Sequence, residues 1–135
     1  GGPALPGGGA ATTYAHDSHN LLVLGQTAAD MQAATNAVIE AQGGFAAVRD
    51  GSVQAFAPLP IAGILSDRPL PVLGEQIADV RRALTENGYR HDNAIMSFAT
   101  LALPVSPDIK LTDKGIVDVR RGGVVPLIVE LRTAE

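Results

Sequence analysis

The chain has 135 residues, 46% of them hydrophobic and 18% charged, a balance suited to one folded domain and too apolar for a disordered chain. Ten Lys and Arg against fourteen Asp and Glu leave a net charge of −4, and aromatics make up 4%, which argues against a surface that meets phosphates or stacks bases. Cysteine is absent, so disulfides, zinc ribbons and thiol nucleophiles are excluded.

Glycine and proline dominate residues 1–9, and that stretch reads as a flexible tail ahead of a domain spanning 10–135. It has neither the basic nor the apolar region of a secretory signal. The first residue is Gly rather than Met, so a processed or cut piece of a longer protein is expected. Thr12, Thr13 and Tyr14 favour an extended segment, and Leu21-Leu22-Val23-Leu24, closed by Gly25, reads as a strand buried on both faces. Thr27 as cap and Asp30 three residues on open a helix over 28–42, with Met31, Ala34, Val38 and Ala41 on one face and Gly43-Gly44 as the stop. Residues 45–49 and 53–57 form a hairpin around Asp50-Gly51. Residues 58–67 are an apolar loop in which Pro58 and Pro60 forbid a regular ladder.

A second helix is expected over 72–87, with Leu73, Ile77, Val80 and Leu84 on its apolar face and Gly88 after it. Residues 94–103 suit a helix or a buried strand, and the run ending at Pro104 favours the strand. Leu111 to Gly115 reads as a turn, and 116–120 and 124–131 as strands separated by Gly122-Gly123. The run over 124–129, interrupted by Pro126, is far short of the ~18–20 residues of a membrane span. Together these elements predict an α+β fold: a mixed, largely antiparallel sheet of about six strands with two main helices packed on it. Neither nucleic acid nor membrane is an expected partner, and a cytoplasmic setting suits the lack of cysteine.

The candidate functional residues are His16, Asp17, Ser18, His19 and Asn20, five polar side chains between two apolar segments. Such a pentad closes a turn, since Asp, Ser and Asn bond their own backbone, or faces a ligand or a neighbouring domain. Its types also match a hydrolase triad, but adjacent residues do not converge as nucleophile, base and orienter must. His16 and His19 point to opposite faces of an extended chain and share a metal only if a turn intervenes, and a closed metal site needs about four ligands. No catalytic residue and no metal ligand is therefore assigned to this chain. The glycine pairs fit neither phosphate-binding fingerprint, and Arg81-Arg82 and Arg120-Arg121 read as surface charges.

Ala15-His16-Asp17-Ser18-His19-Asn20, the apolar strand ending at Gly25, and Asp30-Met31 resemble the C-terminal domain of adenine deaminases. So do Leu59-Pro60-Ile61-Ala62-Gly63 with Ser66-Asp67, and Leu111-Thr112-Asp113-Lys114-Gly115-Ile116-Val117-Asp118. The likeness runs from about residue 8 to about 130, with several motifs in the same order. It implies hydrolysis of adenine to hypoxanthine and ammonia in purine salvage, carried out by a metal-dependent amidohydrolase barrel with manganese or iron. That barrel's H-x-H motif is absent here and the chain holds three His, so the resemblance covers the accessory domain. It implies a barrel domain as partner, adenine as substrate of the whole enzyme, a homo-oligomer, and an isolated chain without activity. The pentad is then expected to close the substrate pocket or hold the domain interface, with the apolar loop at 58–67 as a second contact. The alternative is a stand-alone, non-catalytic module that binds a small ligand or oligomerises.

Overall fold

Alanine and glycine fill the strands at the centre of this protein, and that choice sets how closely its layers approach. The computed structural model describes residues 5–106 and 108–126. Strands β1 (Gly9–Thr12), β2 (Leu22–Gly25), β3 (Gly44–Arg49) and β4 (Ser52–Pro58) form one antiparallel sheet in the order β2-β1-β3-β4. The strand period of two divides its side chains between two faces. Ala10, Phe45, Ala47, Ala55 and Ala57 face helices α2 (Leu70–Glu86) and α3 (Ala94–Ala99), while Ala11, Ala46 and Val48 face α1 (Ala28–Glu40). Both faces are covered, and β1 and β3 are almost wholly buried.

The caps explain why α1 sits where it does. The Thr27 Oγ1 accepts from the Asp30 N–H at 3.1 Å, and its hydroxyl donates to Asp30 Oδ2 at 2.8 Å. The other carboxylate oxygen of Asp30 accepts the Gly51 N–H at 2.8 Å, tying the start of the helix to the β3–β4 turn. The helix ends at Glu40, and Gly43, with φ of 134°, returns its N–H to the Val38 carbonyl at 2.9 Å. Asn87 caps the C-terminus of α2 from a buried position. Its side-chain amide donates to the Val48 carbonyl at 3.0 Å, and its backbone carbonyl accepts the Gly7 N–H at 3.0 Å. Under α2, Phe45, Phe98 and Tyr89 meet ring to ring, with centroids 5.2 and 5.8 Å from Phe98.

Strands β5 (Ile109–Thr112), β6 (Gly115–Asp118) and β7 (Gly123–Val125) make a second, three-stranded antiparallel sheet. Its register aligns Leu111, Ile116 and Val125 in one cross-strand row, with Ile109 on the same face. None of the described helices packs across either face of this sheet.

The α+β class holds, with seven described strands in two antiparallel sheets in place of about six in one. The hairpin and both main helices stand within a few residues of the expected bounds. Four expectations change. Leu5 is buried in the core and Gly9 already lies in β1, so the tail reading fails over 5–9, while 1–4 lie outside the described residues. Strand β2 is half-buried rather than buried on both faces, because it lies at the sheet edge. Residues 94–99 are helical: Asn93 Oδ1 caps the Met96 N–H at 3.2 Å, and Ser97 and Thr100 bond carbonyls one turn back. The segment at 111–115 is a turn flanked by strand residues, and the expected strand residues 127–131 lie outside the described part.

Candidate functional site

The antiparallel register brings four chain ends together. The C-terminal ends of β1 and β4 and the N-terminal ends of β2 and β3 all lie at one edge of the four-stranded sheet, because Thr12 pairs with both Leu22 and Phe45, and Gly44 with Pro58. The pentad connects β1 to β2 at this end, and the apolar loop at 58–67 leaves β4 there. One hydroxyl joins them. Thr13 Oγ1 donates to the Gly63 carbonyl at 2.7 Å and accepts the Gly44 N–H at 3.0 Å. A Cβ at Gly43 would lie 2.6 Å from the Gly63 Cα, so the loop closes only over glycine.

Within the pentad the side chains divide by role. The His16 N–H donates to the Ala99 carbonyl at 2.9 Å, which fixes the segment against the end of α3. The His19 N–H donates to the Ala15 carbonyl at 2.7 Å, and His19 itself takes a left-handed φ of 49°, as turn residues do. The rings of Tyr14, His16 and His19 cluster with centroids 5.2 to 6.0 Å apart. His19 Nδ1 is buried with no hydrogen-bond partner among the described groups. His16 Nδ1 stands 3.6 Å from Asp17 Oδ1, and Asp17 is 86% exposed.

Asp17, Ser18 and Asn20 instead line a cleft of about 740 Å³. Leu21, Leu22 and Val23 continue its near wall. The far wall is Ala102 to Val105 and, from the β5–β6 hairpin, Leu111, Thr112 and Asp113. The cleft is therefore the gap between the two sheets, mostly apolar with polar groups at its rim. The structure thus gathers the five residues at one spot, with the two imidazoles packed inward beside Tyr14 and the other three presented to the cleft. Thr13 and Tyr14 read in the sequence only as residues of an extended segment, though both adjoin the pentad. The far wall comes from residues some 80 to 95 positions away, beyond the reach of any local pattern.

Ser18 faces the cleft, exposed, and among the described residues pairs with no imidazole. Among the described residues, no three His, Asp or Glu side chains come together as metal ligands. The described residues thus offer no donor set for a manganese or iron centre. No helix among the described residues is long and apolar enough to cross a membrane.

The family model for the adenine deaminase C-terminal domain matches residues 1–122. Adenine deaminase 2 of Shouchella clausii is 54% identical over 128 residues, 95% of this chain and 22% of its own length. The adenine deaminase of Clostridium perfringens is 48% identical over 93% of this chain and 22% of its own length, and that of Moorella thermoacetica 48% over 90% and 20%. The chain thus spans about a fifth of the length of the curated relatives it matches.

Proposed function

We propose that this chain, which belongs to the adenine deaminase C-terminal domain family, serves as the accessory domain of an adenine deaminase. The reaction is the hydrolysis of adenine to hypoxanthine and ammonia. Its catalytic part is a barrel domain in the remaining four-fifths or so of the longer protein, and manganese or iron belongs there. This domain packs against the barrel and presents the sheet end that carries His16, Asp17, Ser18, His19 and Asn20. The setting is the cytoplasm, the pathway purine salvage, and the whole enzyme a homo-oligomer.

The observation that carries this reading is the division within the pentad. A turn that merely closed on itself would spend Asp17, Ser18 and Asn20 on its own backbone. They line a cleft instead, while the neighbouring histidines are anchored by main-chain bonds and ring contacts. Carboxylate, hydroxyl and amide at a cleft rim supply acceptors and donors for a purine or for the polar edge of a docked domain.

The test uses the Shouchella clausii relative with its 128 matching residues either deleted or replaced by this chain. Adenine turnover is expected to fall on deletion and to return in the replaced protein. The purified 135-residue chain, given adenine with Mn²⁺ or Fe²⁺, is expected to release no ammonia. Full turnover by the deleted protein overturns the reading. So does ammonia from the chain alone above a His16→Ala, Asp17→Ala control.

A further inference from the structure

The three-stranded sheet poses a physical problem that the rest of the fold does not solve. A lone hairpin is marginal in water, and a three-stranded sheet gains stability only from an apolar face that can bury itself or from a helix packed on it. Here one face carries Ile109, Leu111, Ile116 and Val125, and Ile109 and Leu111 are 53% and 62% exposed. No described helix lies on it. Two ion pairs, Arg120 with Asp108 and Arg121 with Asp118, clip its turns from the outside, but exposed pairs of this kind contribute little.

The face is continuous with the cleft. Leu111 belongs to both: it sits in the apolar row and it lines the gap opposite Asp17, Ser18 and Asn20. Val105, 77% exposed, extends the apolar strip along the far wall. Asp17 and Asp113 stand at the rim, and among the described residues neither pairs with Lys or Arg. The composite surface is an apolar stripe with an acidic edge.

We infer that this stripe is the seat of the catalytic domain, and that the three-stranded sheet folds stably only when that domain covers it. The inference rests on the accessory-domain reading above and deepens it, by extending the contact from the sheet end at residues 16–20 across the cleft to β5–β7. The occupant follows from lengths and charge. The relatives are about five times as long as the matched segment, so most of the polypeptide that could cover the stripe lies in the remainder. The acidic edge calls for a partner rim that supplies Arg, Lys or backbone N–H groups to Asp17 and Asp113.

Amide hydrogen exchange reads the first half directly. In the 135-residue chain alone, the amides of β5–β7 are expected to exchange at least about a hundredfold faster than those of β1 and β3. In the replaced full-length protein they are expected to slow to the level of β1 and β3. Equal protection of both sheets in the lone chain overturns the inference, as does fast exchange of β5–β7 in the full-length protein. Leu111→Asp in the full-length protein is expected to restore fast exchange of β5–β7 and to lower adenine turnover about tenfold or more, whereas Val53→Asp, on the exposed part of β4, changes neither. If full-length turnover survives while Leu111→Asp is silent in exchange, the accessory reading stands and this inference falls. Loss of turnover in the parent replaced protein counts instead against the accessory reading, and the exchange comparison still decides the stripe. Sedimentation of the lone chain adds one more arm: a dimer abolished by Leu111→Asp makes a second copy the occupant and overturns the assignment.

Discussion

The two sheets use their residues in opposite ways. In the four-stranded sheet most buried positions are small: Ala10, Ala11, Ala46 and Ala47 are all 0% exposed, and Phe45 and Val48 are the large side chains among them. In the three-stranded sheet the side chains are larger and more apolar, yet Ile109, Leu111 and Val124 are each more than half exposed. Hydrophobicity alone therefore does not decide burial here; what decides it is whether a second layer is available. Helices α1 and α2 supply that layer on both faces of the first sheet, and small strand residues let them settle close. The second sheet is built as though a layer were coming from elsewhere.

Substitutions sharpen this contrast, beginning with the largest effect. Phe98→Ala removes a fully buried ring that touches both Phe45 and Tyr89, and is expected to cost about 3–5 kcal/mol in urea unfolding. Asn87→Ala removes the buried amide that donates to the Val48 carbonyl, at about 1–3 kcal/mol, and leaves the backbone bond to the Gly7 N–H in place. Thr27→Ala removes the α1 cap at about 1 kcal/mol. Leu111→Ala in the lone chain is expected to change stability by less than about 0.5 kcal/mol despite removing a larger side chain than Thr27 carries. A large loss at Leu111 in the lone chain breaks the contrast outright.

A pH scan probes the covered sheet alone. The Asp30 carboxyl is held below its ordinary range, first by the Gly51 N–H and second by the Thr27 hydroxyl, with burial opposing. The unfolded chain titrates at the ordinary value, so the stabilisation is complete above that value. It is lost as pH falls through the lowered folded value. Asp30→Asn is expected to flatten this part of the acid limb in unfolding curves collected across pH, while leaving exchange in β5–β7 unaltered.

Much of the covered half was legible because its signals are local. Thr27 with Asp30, Gly43-Gly44, Asp50-Gly51 and the Leu73, Ile77, Val80, Leu84 stripe each act within one element. The misread segment at 94–99 shows where local reading stops. Its apolar content fits either periodicity, and the choice fell to Asn93 as a cap and to Phe98 packing on Phe45 and Tyr89, contacts that span up to 53 positions. Leu5 was hidden among glycines and prolines, and only the α2 side of the core explains its burial. The pentad was visible as a cluster of polar types, but the cleft was not, since its far wall depends on how the second sheet returns beside β2.

The position of Thr13 has a consequence for how this end of the molecule can change over time. Its hydroxyl fastens the 58–67 loop to the start of β3, and the strand preceding it lies between two others in the ladder. The frame of residues 16–20 is held by main-chain bonds and by the packed His16 and His19 rings, not by Asp17, Ser18 or Asn20. Recognition at the rim can be rewritten one side chain at a time, with the scaffold indifferent to the chemistry it displays.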